Sequence, residues 1–271
     1  FFFGSTMAPL SPAEVAAFSR EDLEEHLLTD LLKLQGLGSY HEDFDCWKRW
    51  WPCAGDTEKR ICIFEDHLNT DWEGARIVWP AGLVLARMFE VHSGLQQELQ
   101  GKTVVELGAG CALLSMTCAM QGAAKVYATE HPNMVKWVAR NVRANPHLKD
   151  HVVVRALDWD DPAHFEALPC PQPVDIVLGA DLTYDIDAHK VLLQALQRLS
   201  GPNTTIVLSH DDASTPACPA YRKAFFEDLL PRHGLEVKPM NPQQTLQNSG
   251  FDSPTVHVFH IRNTAANACR R

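Results

Sequence analysis

The sequence predicts an α/β domain built on a mostly parallel sheet of seven strands, with helices on both faces and an antiparallel closing pair. Three observations point there. From residue 75 onward, short apolar runs alternate with amphipathic helical stretches, which is the pattern of βα units. The runs are nearly continuous in apolar residues, as strands buried on both faces are. Two last runs, Leu235–Met240 and Thr255–Ile261, read as antiparallel neighbours around a long loop, Asn241–Pro254, where substrate contacts could sit.

Taken in order, residues 12–35 read as a helix. Pro12 stands near its start, Val15, Phe18, Leu23, Leu27, Leu28, Leu31 and Leu34 give its apolar positions, and Gly36 and Gly38 end it. Trp47-Lys48-Arg49-Trp50-Trp51 follows, then a strand at Ile61-Cys62-Ile63-Phe64. The tryptophans are read as packing an N-terminal extension onto the main domain, with a substrate-facing aromatic patch as the alternative. Pro80 opens a helix to about His92, with Ala81, Val84, Leu85, Met88 and Phe89 as its apolar stripe. Then come strand Thr103–Leu107, helix Leu113–Gln121, strand Lys125–Thr129, helix Met134–Asn145 and strand Val152–Ala156. Strand Asp175–Gly179, helix Ala188–Leu199, strand Thr205–Ser209 and helix Ala220–Leu230 lead to the closing pair. Three regions result: an N-terminal helical extension with a short strand over 1–74, a core over 75–263, and a tail over 264–271.

Composition narrows the class. Of the 271 residues, 45% are hydrophobic and 21% charged, ordinary for a globular protein. No apolar run reaches the roughly 18 residues of a membrane span, so no membrane partner is expected. Phe1-Phe2-Phe3 is too short for a signal-peptide core, and Gly4-Ser5-Thr6-Met7 reads as a non-native leader before a natural start. The 8 cysteines form no C-x-x-C pair and read as reduced thiols. That places the protein in the cytoplasm, with the nucleus as a second compartment. A net charge of −10 argues against sequence-blind nucleic-acid binding and suits a basic partner better.

The most informative stretch is Val104-Val105-Glu106-Leu107-Gly108-Ala109-Gly110-Cys111-Ala112-Leu113-Leu114. It ends a strand, turns through two glycines and enters a helix, so backbone can approach a ligand at the strand's carboxyl end. A dinucleotide fingerprint would need a third glycine where Leu113 stands. In its place is a carboxylate, Glu106, which would repel a pyrophosphate but attract a cofactor carrying an ammonium and a sulfonium. Glu130, ending the next strand, is placed to accept hydrogen bonds from ribose hydroxyls.

The chain resembles the class I, seven-strand, S-adenosylmethionine-dependent methyltransferases, whose fold is Rossmann-like. Within them it is most similar to the small protein lysine methyltransferases that modify chaperones, an AAA-type ATPase, calmodulin and elongation factors. Four pieces carry the resemblance over residues 75–262: Gly74-Ala75-Arg76-Ile77-Val78-Trp79-Pro80 for the entry to the first core helix, Glu106–Gly110 for the glycine loop, Leu157-Asp158-Trp159 after the third core strand, and Asp181-Leu182-Thr183-Tyr184 for the D-x-x-Y motif. The cofactor implied is S-adenosyl-L-methionine, leaving S-adenosyl-L-homocysteine as product. Trp79, Glu106, Gly108, Ala109, Gly110, Glu130, Asp158, Trp159 and Ala180 would bind it. Trp79 is expected along its methionine end, Asp158 at the adenine amino group, and Trp159 beside the base or the loop. Two departures stand out. Cys111-Ala112 replaces the Thr-Gly of many relatives, so the turn is expected to keep a negative φ at Ala112. Ser209-His210-Asp211-Asp212 stands where several relatives carry a basic segment.

Asp181 and Tyr184 are the candidate catalytic residues. Following a buried strand, Asp181 should emerge at the cofactor edge, orient an incoming ammonium and leave its proton to water, while Tyr184 lines the channel. General base is the lesser role weighed for Asp181. No H-E-x-x-H spacing points to a metal, His131, His210, His257 and His260 being scattered, and no G-x-S-x-G elbow points to a hydrolase. The function expected is transfer of a methyl group to a lysine of another protein. Two alternatives stand beside it: a small-molecule or arginine N-methyltransferase, and a binding module that keeps the fold without the chemistry. Loss of cofactor binding would mark the latter.

Overall fold

The computed structural model describes residues 38–41, 46–54, 56–66, 76–247, 251 and 253–264. The helix expected over 12–35 and the tail from residue 265 lie outside them. Seven strands form one sheet in the order β6-β5-β4-β7-β8-β10-β9. They are β4 (Thr103–Leu107), β5 (Lys125–Glu130), β6 (Val152–Ala156), β7 (Ile176–Ala180), β8 (Thr205–Asp211), β9 (Leu235–Met240) and β10 (Val256–Asn263). The first five pair in parallel, and β10 inserts antiparallel between β8 and β9. The expected α/β class and its closing pair are therefore present. The order reverses at β4, whose neighbours are β5 and β7. Open α/β sheets bind ligands in the crevice outside the carboxyl ends of such strands.

Helices α1 (Pro80–Val91), α2 (Ser93–Leu99), α3 (Leu113–Met120), α4 (Val135–Arg143), α5 (Pro162–Glu166) and α6 (His189–Leu199) occupy the crossovers and the approach to β4. Beyond β8, α7 (Cys218–Arg222) runs on through π turns at Lys223–Leu229 to Leu230–Arg232. One core lies where α1 and α3 meet the sheet around Leu85, Met88, Val104, Met116 and Val126. The other lies on the opposite face around Val105, Val177, Leu196, Phe225 and Phe226.

Three short helices were missing from the sequence reading. His92 caps α2 by accepting from Leu95 N–H, and Asp161 caps α5 by accepting from Ala163 N–H. Helix α8 (Pro242–Thr245) lies inside the stretch read as the loop Asn241–Pro254, with Asn241 accepting from Gln244 N–H.

A second sheet precedes the core: β1 (Gly38–His41), β2 (Cys46–Cys53) and β3 (Asp56–Glu65), all antiparallel. The sequence reading gave only the segment Ile61–Phe64 of it. Its attachment is explicit. Asn145, one helical turn past Asn141, accepts from Cys62 N–H at 2.7 Å and donates to Cys62 C=O at 2.8 Å. Asn141 does the same to Phe64, at 2.6 and 3.2 Å. The i, i+4 spacing of the two amides matches alternate residues of a strand, so the end of α4 and the turn just beyond it satisfy the β3 backbone as a neighbouring strand would. Trp51 donates to Glu90 of α1 at 3.1 Å, and the Arg87 guanidinium lies 4.6 Å from its ring centre. Trp51 thus packs on the core as expected, while Trp50 is exposed.

Candidate functional site

A cavity of about 560 Å³ opens at the carboxyl ends of β4, β5 and β7. Its lining includes Trp79, Glu106, Gly108, Ala109, Gly110, Glu130, Asp158, Trp159, Ala180, Asp181 and Tyr184. Residues from five separate stretches of sequence, all those singled out above, therefore meet at one place.

The turn after β4 forms the floor. Gly108 and Gly110 have φ of 59° and 51°, and Ala112 has φ of 61°. The negative φ expected at Ala112 is thus corrected: its methyl group sits in a left-handed conformation at the start of α3. That costs about 1–2 kcal/mol for a non-glycine residue. Full burial of Ala112 in the core under α3 offsets part of it. A Cβ at Gly108 would approach Leu182 Cδ2 to 2.6 Å, and one at Gly179 would approach Leu182 Cδ1 to 2.5 Å. Leu182 therefore nests on two glycines and ties the Asp181–Tyr184 loop to the turn.

Two buried carboxylates face the cavity. Glu106 accepts from the Ser115 hydroxyl, and burial pushes its carboxyl up to about 8, with Glu130 adding like-charge repulsion. Glu130 accepts from Gly110 N–H at 2.8 Å and His131 N–H at 2.7 Å, while burial raises it too. Each carboxylate offers about four acceptor positions, so Glu130 retains capacity for hydroxyl donors. Buried acids held at raised values are relieved by a cationic or hydroxyl-rich ligand, and the turn presents only backbone at Gly108 and Gly110. This donor set suits S-adenosylmethionine and opposes a phosphate.

Around the rim, Asp158 is partly exposed; one carboxylate oxygen accepts from Asp160 N–H at 3.0 Å and the other lies 3.9 Å from His131 Nε2. Trp159 is half-buried against the second core, and Trp79 is 37% exposed at the entrance. Val78, beside Trp79, donates its N–H to buried Glu65 of β3 at 2.8 Å, so the small sheet helps to hold this wall. Asp181 is left-handed at φ 55° and only 6% exposed. Its carboxylate accepts from Asp211 N–H at 3.2 Å and from Ser214 Oγ at 2.7 Å, and burial raises it to about 6. Asp181 therefore also organises the turn it belongs to.

Ile77, Met134, Leu157 and Leu182 add apolar lining that the sequence reading did not assign to the site, and His131, Asp160 and Asp185 add polar groups. Ile77, Leu157 and Leu182 lie inside the motifs quoted above and Asp160 and Asp185 adjoin them, which was the available signal. Met134 had none, since its position depends on how α4 meets β5.

A family model described as lysine methyltransferase matches residues 56–230. EEF1A lysine methyltransferase 3 of Xenopus tropicalis is 34% identical over 198 residues, covering 73% of this chain and 81% of that protein. The mouse EEF1A lysine methyltransferase 3 is 35% identical over 180 residues, covering 64% and 72%. Protein N-lysine methyltransferase METTL21A of Mus musculus is 35% identical over 147 residues, covering 52% of this chain and 64% of that protein.

Proposed function

The chain belongs to the lysine methyltransferase family and is an S-adenosylmethionine-dependent protein-lysine N-methyltransferase; from that premise we propose how its residues divide the work and which protein they act on. When bound, S-adenosylmethionine supplies an electrophilic methyl group on a sulfonium. Glu106 and Glu130 hold the cofactor's cationic end and its ribose, and the Gly108-Ala109-Gly110 backbone lets it approach β4. Asp158 receives the adenine amino group, with Trp159 beside the base and Trp79 along the methionine end. Ala180 leaves room between the cofactor and the acceptor.

A lysine amine must lose its proton before it attacks, which at pH 7 costs roughly 4–5 kcal/mol from an ordinary value near 10.4. The partly dry cavity lowers that cost by disfavouring the ammonium. With its carboxyl at about 6, Asp181 is mostly ionised at pH 7 and draws the ammonium to the cavity edge. Tyr184 walls the channel and keeps the amine in line, and the proton leaves to water.

The observation that carries this reading is the convergence of both carboxylate pairs, Glu106 with Glu130 and Asp158 with Asp181, on one cavity at the point where the strand order reverses. For the substrate we propose elongation factor 1A, which names two of the relatives above. We further propose that neither nucleic acid nor membrane takes part and that the reaction is cytoplasmic, a reading supported by the net charge of −10 and the absence of a C-x-x-C pair. Calorimetry with S-adenosylmethionine and S-adenosylhomocysteine tests the cofactor site: both should bind, the product more tightly, and Glu106→Ala should lose both. Labelled methyl transfer to purified elongation factor 1A tests the substrate. Label on other lysate proteins but none on the factor would overturn that choice and leave the enzyme class standing.

A further inference from the structure

Thr183 lies between Leu182, nested on the glycine turn, and Tyr184 in the cavity, yet it is itself 1% exposed. Two imidazoles grip it from different elements. His210, near the end of β8, places Nδ1 2.6 Å from the Thr183 hydroxyl, and His189, at the start of α6, places Nε2 3.1 Å from the Thr183 carbonyl.

The partners on the far side fix the protons. His210 Nε2 faces the Cys218 carbonyl at 3.1 Å and Asp212 Oδ1 at 3.4 Å, both of which only accept. Nε2 therefore carries the hydrogen, Nδ1 is bare, and the Thr183 hydroxyl must donate to it. His189 has no such freedom either, because a carbonyl on Nε2 requires its hydrogen there. Burial lowers both imidazoles, which keeps them neutral as this pattern demands.

We propose that His210 and His189 are positioning residues for methyl transfer: through Thr183 they lock the segment Asp181–Tyr184 so that Tyr184 is held against the cavity. The inference rests on the methyltransferase reading of that cavity. Asp181 is fastened at the other end of the same segment by Asp211 and Ser214, both on the strand and loop that carry His210. Of its four side chains Asp181, Leu182 and Tyr184 line the cavity, while Thr183 is turned into the fixed imidazoles behind it. A displacement of about 1 Å at a reacting centre costs up to roughly 100-fold in rate, so a loose Thr183 should be visible in turnover.

Thr183→Val keeps the shape and removes the donor; Thr183→Ser keeps the donor. Methyl transfer to the protein substrate should fall at least roughly tenfold in Thr183→Val, mainly in kcat, and return to within about twofold in Thr183→Ser. S-adenosylhomocysteine binding, measured by calorimetry, should stay within about twofold in both, because no cofactor contact is altered. Imidazole nitrogen NMR should show His210 as a neutral Nε2–H tautomer in the wild-type chain, with its Nδ1 signal shifted in Thr183→Val. Wild-type turnover in Thr183→Val, or an Nδ1–H tautomer at His210, would overturn the proposal. If the wild-type chain transferred no methyl group to any protein, the functional reading would fail instead, and the imidazole spectrum would still decide the clamp.

Discussion

Glu106→Gln separates the stability of the fold from the binding of the cofactor. Burial holds the Glu106 carboxyl at about 8, against an ordinary 4.5. The sign is opposite to that of a carboxylate stabilised by a salt bridge. Here the folded chain keeps its proton longer than the unfolded chain, so the contribution is fully present below pH 4.5 and is lost as pH rises towards 8. Each pH unit in that window removes roughly 1 kcal/mol or slightly more, so the step from pH 5 to pH 7 removes about 2–3 kcal/mol and the whole window roughly 5 kcal/mol. Glutamine has nearly the same volume, still accepts from Ser115, and does not titrate. Glu130 and Asp181 titrate in both proteins and cancel in the comparison to first order. Guanidinium denaturation of both cofactor-free proteins at pH 5, 6, 7 and 8 gives the difference directly. The stability of Glu106→Gln relative to wild type should rise by about 2–3 kcal/mol between pH 5 and pH 7. The same variant should bind S-adenosylmethionine weakly, because the wild-type carboxyl must ionise to meet a cation. Calorimetry in buffers of different ionisation enthalpy should accordingly show more protons released on binding at pH 7 in the wild type than in the variant. A stability difference independent of pH would refute the argument, since it would mean that Glu106 titrates as an ordinary glutamate.

Asp181→Asn keeps acceptors for Asp211 N–H and Ser214 but loses the charge. The wild-type pH–rate profile for kcat/KM should fall below a value of about 6, where Asp181 gains its proton. The variant should lack that fall and run roughly 10- to 100-fold slower at pH 7. Asn145→Ala leaves the buried N–H and C=O of Cys62 without their partner, at about 1–3 kcal/mol for each group. Guanidinium unfolding should show a loss of about 3 kcal/mol, and Asn145→Gln should not restore it because the longer side chain misplaces the amide.

Most of the sheet and the cavity could be read from the sequence because both depend on local rules. Strand Val152–Ala156 and strand Leu235–Met240 have the bounds their residues predict, since a run of apolar residues between polar turns is a local signal. The cavity residues follow from being at strand ends, where any doubly wound sheet places its ligand. The three short helices escaped notice although each carries a signal. Asp161-Pro162 and Asn241-Pro242 put a capping side chain before a proline and His92 caps Ser93–Leu99, but four to seven residues show too little periodicity to separate a helix from a turn. The His210–Thr183–His189 grip had no such signal. Its members come from a strand, a loop and a helix: His210 stood among scattered histidines, His189 was not singled out, and only the folded packing of β8, the loop after β7 and α6 brings them together.

The error at Ala112 shows where residue-by-residue reading stops. The expectation of a negative φ followed from the preference of alanine alone. What decides the backbone there is the rest of the turn: Ala109 N–H reaches the Thr129 carbonyl at 3.0 Å, and Gly110 N–H is held by Glu130 at 2.8 Å. Met116 N–H then needs the Ala112 carbonyl, at 3.0 Å, to start α3. Three anchors on two elements, β5 and α3, fix the turn on both sides of residue 112, whatever its side chain. The fixed points include Glu130, which also serves the proposed ribose site. The strain at Ala112 is therefore maintained by contacts the cofactor would share, and a ligand that tightens the hold of Glu130 on Gly110 tightens the whole entry to α3 with it.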